Sequence, residues 1–318
     1  MFSLSSWCPF MHKDFILMNL ILITSLLMCS CNVQEKKSED DKLNIITSFY
    51  PMYVATANIV DGASDVTLEC LASPEVGCLH DYQLTVKDMM KLENADVFVI
   101  NGGGMESFLD KAISAYPTLE IINASEHALE NHEHEHGEEE EHEGHSHEQG
   151  ENPHIWVSID LHIHQIEEIT EKLIEIDPTN KEKYEENAKN YIIELKELSE
   201  RMHATLDYLP NKSIVTFHEA FYYFAEEFDL NVMAVIEREP GTSPSARDIA
   251  EIIDIVKEKD VNAIFVEPEY LKTAANVIAN ETGVTVYELD PVTSGEFKKE
   301  AYIEIMNKNL EVLKEALK

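Results

Sequence analysis

The stretch DPTNKEKYEENAKNYIIELKELSERMHATLDYLP, residues 177–210, limits the fold more than any other. Asp177 or Thr179 can cap a helix, Pro178 suits its first turn, and Pro210 stops it. Tyr184, Ala188, Tyr191, Leu195, Leu198, Met202, Leu206 and Leu209 recur at spacings of three and four. They make one apolar stripe on a helix about 40 Å long. Such a rod is long enough to run past two lobes of ordinary size. A coiled-coil partner is the rival reading, but a single stripe of this length beside other apolar segments packs on a core.

Those other segments alternate in type. Before the rod, LNIITSF, DVTLECL, DVFVIN and LEIIN read as strands. Between them lie the helical patterns MYVATANIVDG, ended by Gly62, TVKDMMKLENA, and one around residues 106–115. After the rod, the strands SIVTF, NVMAVI, NAIFV and VTVYEL alternate with the helices EAFYYFAEEFD, SARDIAEIIDIVKEKD, LKTAANVIANETG and a final one to Lys318. Alternation of this kind predicts a mostly parallel α/β sheet on each side of the rod. The expected organisation is a first lobe over residues 43–180, the connecting helix over 181–210, and a second lobe over 211–318.

Residues 15–31 form an apolar run after Lys13, too short for a comfortable transmembrane helix and ending in small residues and cysteine. This pattern resembles a bacterial lipoprotein signal over residues 1–30, with lipid on Cys31 and a polar tether over 31–42. A plain signal peptide or signal anchor is the alternative, and residues 1–10 read as an extension ahead of the signal. Export leaves Cys70 and Cys78, which are expected to form a disulfide worth about 2–3 kcal/mol. The competing reading puts Cys78 on a metal, because His80 is two residues away.

The charge narrows the function. With 24 basic against 61 acidic residues, the net charge is −37, which disfavours nucleic-acid and anionic-membrane partners. Residues 130–151 hold ten of the acids, no Lys or Arg, and six histidines: His132, His134, His136, His142, His145 and His147. This segment cannot build a core. It is either a solvated acidic loop or a set of weak zinc sites.

Four other residues are placed for chemistry. His80 follows the turn after the second strand, His154 lies in ENPHIWV, His218 ends SIVTFH, and Asp290 ends VTVYELD. In open α/β sheets, ligands bind past the carboxyl ends of strands. A site of three imidazoles and one carboxylate follows if the two lobes face each other. Taken singly, a histidine at a strand end more often bonds backbone, and LD-P is commonly a turn.

Over residues 43–318 the sequence resembles the metal-binding subunits of bacterial zinc and manganese uptake transporters, the ZnuA-like and AdcA-like solute-binding proteins of cluster A-I. The resemblance rests on NPHIWV, DPTNKEKYEENAKNY, VTFHEAFYYFAEEFDL, PSARDIAEIIDIVKEKDVNAIFVEPEY and AANVIANETGVTVYELDP, in the family's order. It implies two Rossmann-like (βα)4-type lobes joined by a rigid backbone helix, with the metal between them. It also implies His80, His154 and His218 as the first, second and third histidine ligands, and Asp290 as the acidic ligand of the C-terminal lobe. Manganese-type relatives usually carry Glu at the third position. His218 there suits Zn²⁺, and the His-rich insert matches zinc-type members. GCLHDYQLTVKD departs from the family's Pro-His pattern at the first ligand, and WVSID replaces the commoner Trp-Leu-Asp-Pro.

The expected function is capture of Zn²⁺ outside the cytoplasm, at the membrane through a lipid anchor or in the periplasm, for delivery to an ABC permease and its ATPase. No catalysis is expected, because four protein ligands leave no position for a reactive water. A manganese-binding subunit is the near alternative. An exported zinc hydrolase is the distant one, since His132-Glu133-His134-Glu135-His136 satisfies H-E-x-x-H, though within a polar tract. An adhesin or zinc-storage protein is a third reading.

Overall fold

The computed structural model describes residues 42–79, 82–109, 114–127, 152–237 and 243–318. The leader with Cys31, His80, and all six histidines of the 130–151 run lie outside the described residues. Residues Lys42–Lys318 form one compact unit.

The first half runs β1 (Leu43–Thr47), α1 (Tyr50–Val60), β2 (Val66–Cys70), α2 (Val86–Glu93), β3 (Val97–Ile100) and β4 (Glu120–Asn123). Its sheet is all parallel in the order β2-β1-β3-β4. Next come α3 (Ile159–Ile176) and the rod α4 (Lys181–Leu206). The second half is β5 (Ser213–Thr216), α5 (Tyr222–Glu227), β6 (Asn231–Val235), α6 (Ala246–Glu258), β7 (Ala263–Val266), α7 (Thr273–Thr282), β8 (Thr285–Glu288) and α8 (Ala301–Ala316). Its sheet repeats the topology, again all parallel, as β6-β5-β7-β8. The expected pair of parallel α/β lobes with a long helix between them is what forms.

Local chemistry accounts for the elements. The central strands are covered on both faces, so they read as unbroken apolar runs: Val97, Phe98 and Val99 are fully buried, as are Ala263, Ile264 and Val266. Thr85 with Asp88, and Ser245 with Asp248, form reciprocal capping boxes that start α2 and α6. α7 ends at Gly283, whose φ of +85° is the left-handed conformation that glycine adopts without a Cβ clash. α4 buries the expected stripe from Tyr184 to Leu206. Its Asn187 amide donates to the carbonyls of Ile59 and Asp61, satisfying the end of α1 from outside.

Two features differ from the sequence reading. The helix expected around residues 106–115 is, among the described residues, a 3₁₀ turn over Ser107–Leu109. Gly102, Gly103 and Gly104 all have positive φ, and Glu106 folds back to accept from the Asn101 and Gly102 amides and the Ser48 hydroxyl. That geometry tightens the chain into a turn. Conversely, α3 was not anticipated. Its buried face includes His162, Gln165 and Thr170, which interrupt the apolar pattern.

The chain after β8 crosses back to the first half. The Tyr50 hydroxyl donates to the Glu296 carbonyl at 2.7 Å, and the Asn58 amide donates to the Lys299 carbonyl at 2.8 Å. The Trp156 indole donates to Pro291 O at 2.6 Å, and the Tyr302 hydroxyl donates to Trp156 O at 2.9 Å. One apolar core includes Ile45 and Trp156 from one half and Phe265 and Tyr302 from the other. A shared core with these cross-bonds resists a wide hinge, since opening it would expose fully buried aromatic surface.

Candidate metal centre

In both sheets the strand order reverses between the first and third strands, β1/β3 and β5/β7. Ligands of open α/β sheets gather in the crevice past the carboxyl ends at this point. In the second sheet, His218 follows β5 and Glu267 follows β7 directly. Both are shielded from solvent, at 0% and 1% exposure. From the first half come Cys78, in the loop after β2, and His154, just before α3. His154 is also fully buried, whereas Cys78 is partly exposed.

These residues converge. The two imidazoles meet edge to face, with ring centroids 4.7 Å apart. The Cys78 sulfur and one ring nitrogen of each histidine all lie within 4.8 Å of one another. A tetrahedral zinc ion with bonds of about 2.0–2.3 Å holds its ligand atoms roughly 3.3–3.8 Å apart. Side-chain adjustments of about an ångström would therefore close this triangle on an ion.

The hydrogen bonds fix one tautomer. The Asn152 Oδ1 accepts from the His154 backbone N–H at 2.9 Å, which identifies that atom as oxygen. The same oxygen lies 2.8 Å from His154 Nδ1. Because it can only accept, Nδ1 carries the proton and Nε2 keeps its lone pair. The Asn152 Nδ2 donates to the Glu219 carbonyl, consistent with this orientation. Trp156 backs the ring at a centroid distance of 5.3 Å.

His218 has a carboxylate neighbour instead. Its Nδ1 lies 3.9 Å from Glu267 Oε1, and neither Glu267 oxygen has a hydrogen-bond partner among the described residues. Burial, with a contribution from Glu269, pushes the Glu267 carboxyl up to about 8. Burial raises the Cys78 thiol well above its ordinary range, and the carboxylates of Glu267, Glu269 and Glu219 add to this. Without a cation, burial biases the Glu267 carboxyl and the Cys78 thiol toward their protonated forms. A divalent ion inverts that preference by supplying the opposite charge.

Asp290 is not part of this group. Its Oδ1 accepts from the Val292 amide at 2.8 Å, and its backbone is clamped on both sides by Asn309. Burial pushes its carboxyl up to about 6, opposed by the Val292 bond. The structure also corrects the expected disulfide: Cys70 and Cys78 are both free. Cys70 is buried at the end of β2, while Cys78 lies beyond the turn, with its sulfur toward the two histidines. The sequence reading missed Asn152 and Glu267 as site residues, though each lies within a quoted motif, NPHIWV and FVEPEY.

A cavity of about 570 Å³ lies among the loops that follow β2, β7 and β8. Pro74 and Glu75 line it from the loop after β2, Pro268 and Glu269 from the loop after β7, and Ser294 to Phe297 from the loop after β8. Three of its lining residues are glutamates, Glu75, Glu269 and Glu296, so the opening favours cations.

The family model for the zinc-uptake complex component A, periplasmic, matches residues 45–316. The chain belongs to this family. The high-affinity zinc uptake system protein ZnuA of Bacillus subtilis is 34% identical over 312 residues, covering 92% of this chain and 94% of the relative. The zinc-binding lipoprotein AdcA of Streptococcus pneumoniae is 33% identical over 308 residues, covering 92% of this chain. The chain spans 59% of that AdcA's own length. The crystal structure of Zn(II)-bound AdcA from Streptococcus pneumoniae aligns with a TM-score of 0.71 at 28% identity, over 87% of this chain and 58% of the other. As a ZnuA-family protein, this chain falls among transport solute-binding proteins rather than in an enzyme family.

Proposed function

We propose that this chain captures Zn²⁺ outside the cytoplasm and delivers it to an ABC permease powered by its ATPase. The observation that carries this reading is the meeting of His154 and His218. They come from opposite halves, have no solvent exposure, and bring ring nitrogens to one point beside a sulfur. With Nδ1 of His154 protonated toward Asn152, the lone pair of that ring is on Nε2. A proton on Nδ1 of His218, facing Glu267, would put the lone pair of that ring on Nε2 too.

The ligand set implied by the family resemblance is His80, His154, His218 and Asp290. The same reading places the lipid on Cys31, and so tethers the chain to the outer face of the membrane. Among the described residues no helix is long and apolar enough to cross a membrane. The 130–151 run serves as a reservoir of weak zinc sites near the tight one. A closed sphere of protein ligands leaves no position for a catalytic water, which argues against the hydrolase alternative.

The test is metal-competition calorimetry on the mature chain, with wild type compared to His154→Ala and His218→Ala. The expected result is one tight Zn²⁺ site, lost in each variant while folding is retained. Tight one-to-one binding that survives both substitutions would refute the assignment.

A further inference from the structure

Imidazoles suit several divalent metals, and the donor that completes the set beside them decides which the cleft accepts. We propose that Cys78 supplies a thiolate to the captured ion, in the place that the family-based set gives to Asp290, and thereby tilts the cleft toward Zn²⁺ over Mn²⁺. This proposal rests on the zinc-capture reading of the same cleft.

The geometry favours sulfur over the carboxylate. Cys78 Sγ is within 4.8 Å of a ring nitrogen of both His154 and His218, whereas Asp290, whose Oδ1 accepts from the Val292 amide, stands outside the group. The backbone builds this placement. Gly77 has a φ of +76°, and a Cβ there would meet Glu269 Cγ at 3.4 Å, so the loop turns sharply against the second half just before Cys78. Leu79, just after it, is fully buried in the shared core. Cys78 is thus held between a tight turn and an anchored side chain, with its sulfur over the histidine pair. Cys70 does not compete for it, because both cysteines are free.

The chemistry follows from donor type. Thiolate and imidazole form closed tetrahedral zinc sites, whereas Mn²⁺ favours carboxylate, carbonyl and water oxygens. Exchanging an oxygen donor for sulfur therefore removes affinity for manganese more than for zinc. On binding, the Zn–S bond forms as the S–H bond breaks. The proton leaves to solvent, and no electron is transferred.

The test is X-ray absorption at the zinc edge on the mature full-length protein loaded with one equivalent of Zn²⁺. The expected spectrum contains one sulfur scatterer at about 2.3 Å beside nitrogen or oxygen scatterers at about 2.0–2.1 Å. Cys78→Ser should lose the sulfur shell, and Cys70→Ser should keep it. Substitutions in the outer shell of metal sites cost about 10–100-fold in affinity, so loss of a direct ligand should weaken Zn²⁺ binding by more than about 100-fold. Cys78→Asp should narrow the preference for Zn²⁺ over Mn²⁺. The wild-type spectrum requires no variant to fold, and a shell of nitrogen and oxygen alone would overturn the proposal. If that shell appeared while His154→Ala still abolished binding, the sulfur would be ruled out and zinc capture would stand. If His154→Ala and His218→Ala both retained tight zinc, the capture reading would fall, and this proposal with it.

Discussion

Replacing Asn152 with leucine tests whether the protein sets the tautomer of its ligand histidine. The native amide accepts from His154 N at 2.9 Å and Nδ1 at 2.8 Å, and it donates to Glu219 O at 3.1 Å. Leucine keeps the bulk and removes all three bonds. The imidazole is then free to carry its proton on Nε2, the nitrogen that faces the ion in this account. Losing an outer-shell partner of this kind costs about 10–100-fold in metal affinity, equivalent to about 1.4–2.7 kcal/mol. The orphaned His154 amide should also lower metal-free stability by about 1–3 kcal/mol. Competition against a chromophoric chelator measures the first quantity, and urea unfolding of the metal-free protein measures the second. A folded Asn152→Leu variant with unchanged zinc affinity would show that the ring is oriented by something other than this amide, and the tautomer argument would fail.

Other parts of the fold give independent checks. His162 stacks on Tyr302 with centroids 4.2 Å apart, and burial lowers its pKa from 6.5 to about 4. The unfolded chain then takes the proton more readily than the folded one. Stability should be full above pH 6.5 and fall toward pH 4 by about 3 kcal/mol, a loss that His162→Phe should largely remove in urea titrations at several pH values. Ser245→Ala removes the cap of α6 and should cost about 0.5–2 kcal/mol in thermal or urea unfolding, with zinc affinity unchanged. Deleting residues 130–151 should leave the tight site intact and remove only weak additional zinc binding in calorimetry. Loss of the tight site on deletion would contradict the reservoir reading.

Much of this architecture could be read from the residues because its signals are periodic and local. The α4 stripe from Tyr184 to Leu206 and the apolar strands around Val97–Ile100 and Ala263–Val266 bury what their patterns require. α3 escaped notice because its buried polar groups are satisfied only in three dimensions. Gln165, for example, donates to Asn101 Oδ1 and Ser125 Oγ, which are distant in sequence. The end of SIVTF marked His218 as a candidate and the NPHIWV motif marked His154, and the fold brings them into contact. Spacing misled at Cys70 and Cys78. Eight residues apart suggests a bridge, but one ends a strand and the other follows a turn aimed into the cleft. Asn152 and Glu267 were invisible as site residues, because their roles depend on which ring nitrogen each one faces.

The most direct measurement of the central claim is an anomalous difference map at the zinc edge from crystals grown with Zn²⁺. This account predicts one strong peak in the cleft, bonded to His154 and His218. A peak elsewhere, with those two imidazoles turned from each other around an empty cleft, would contradict it.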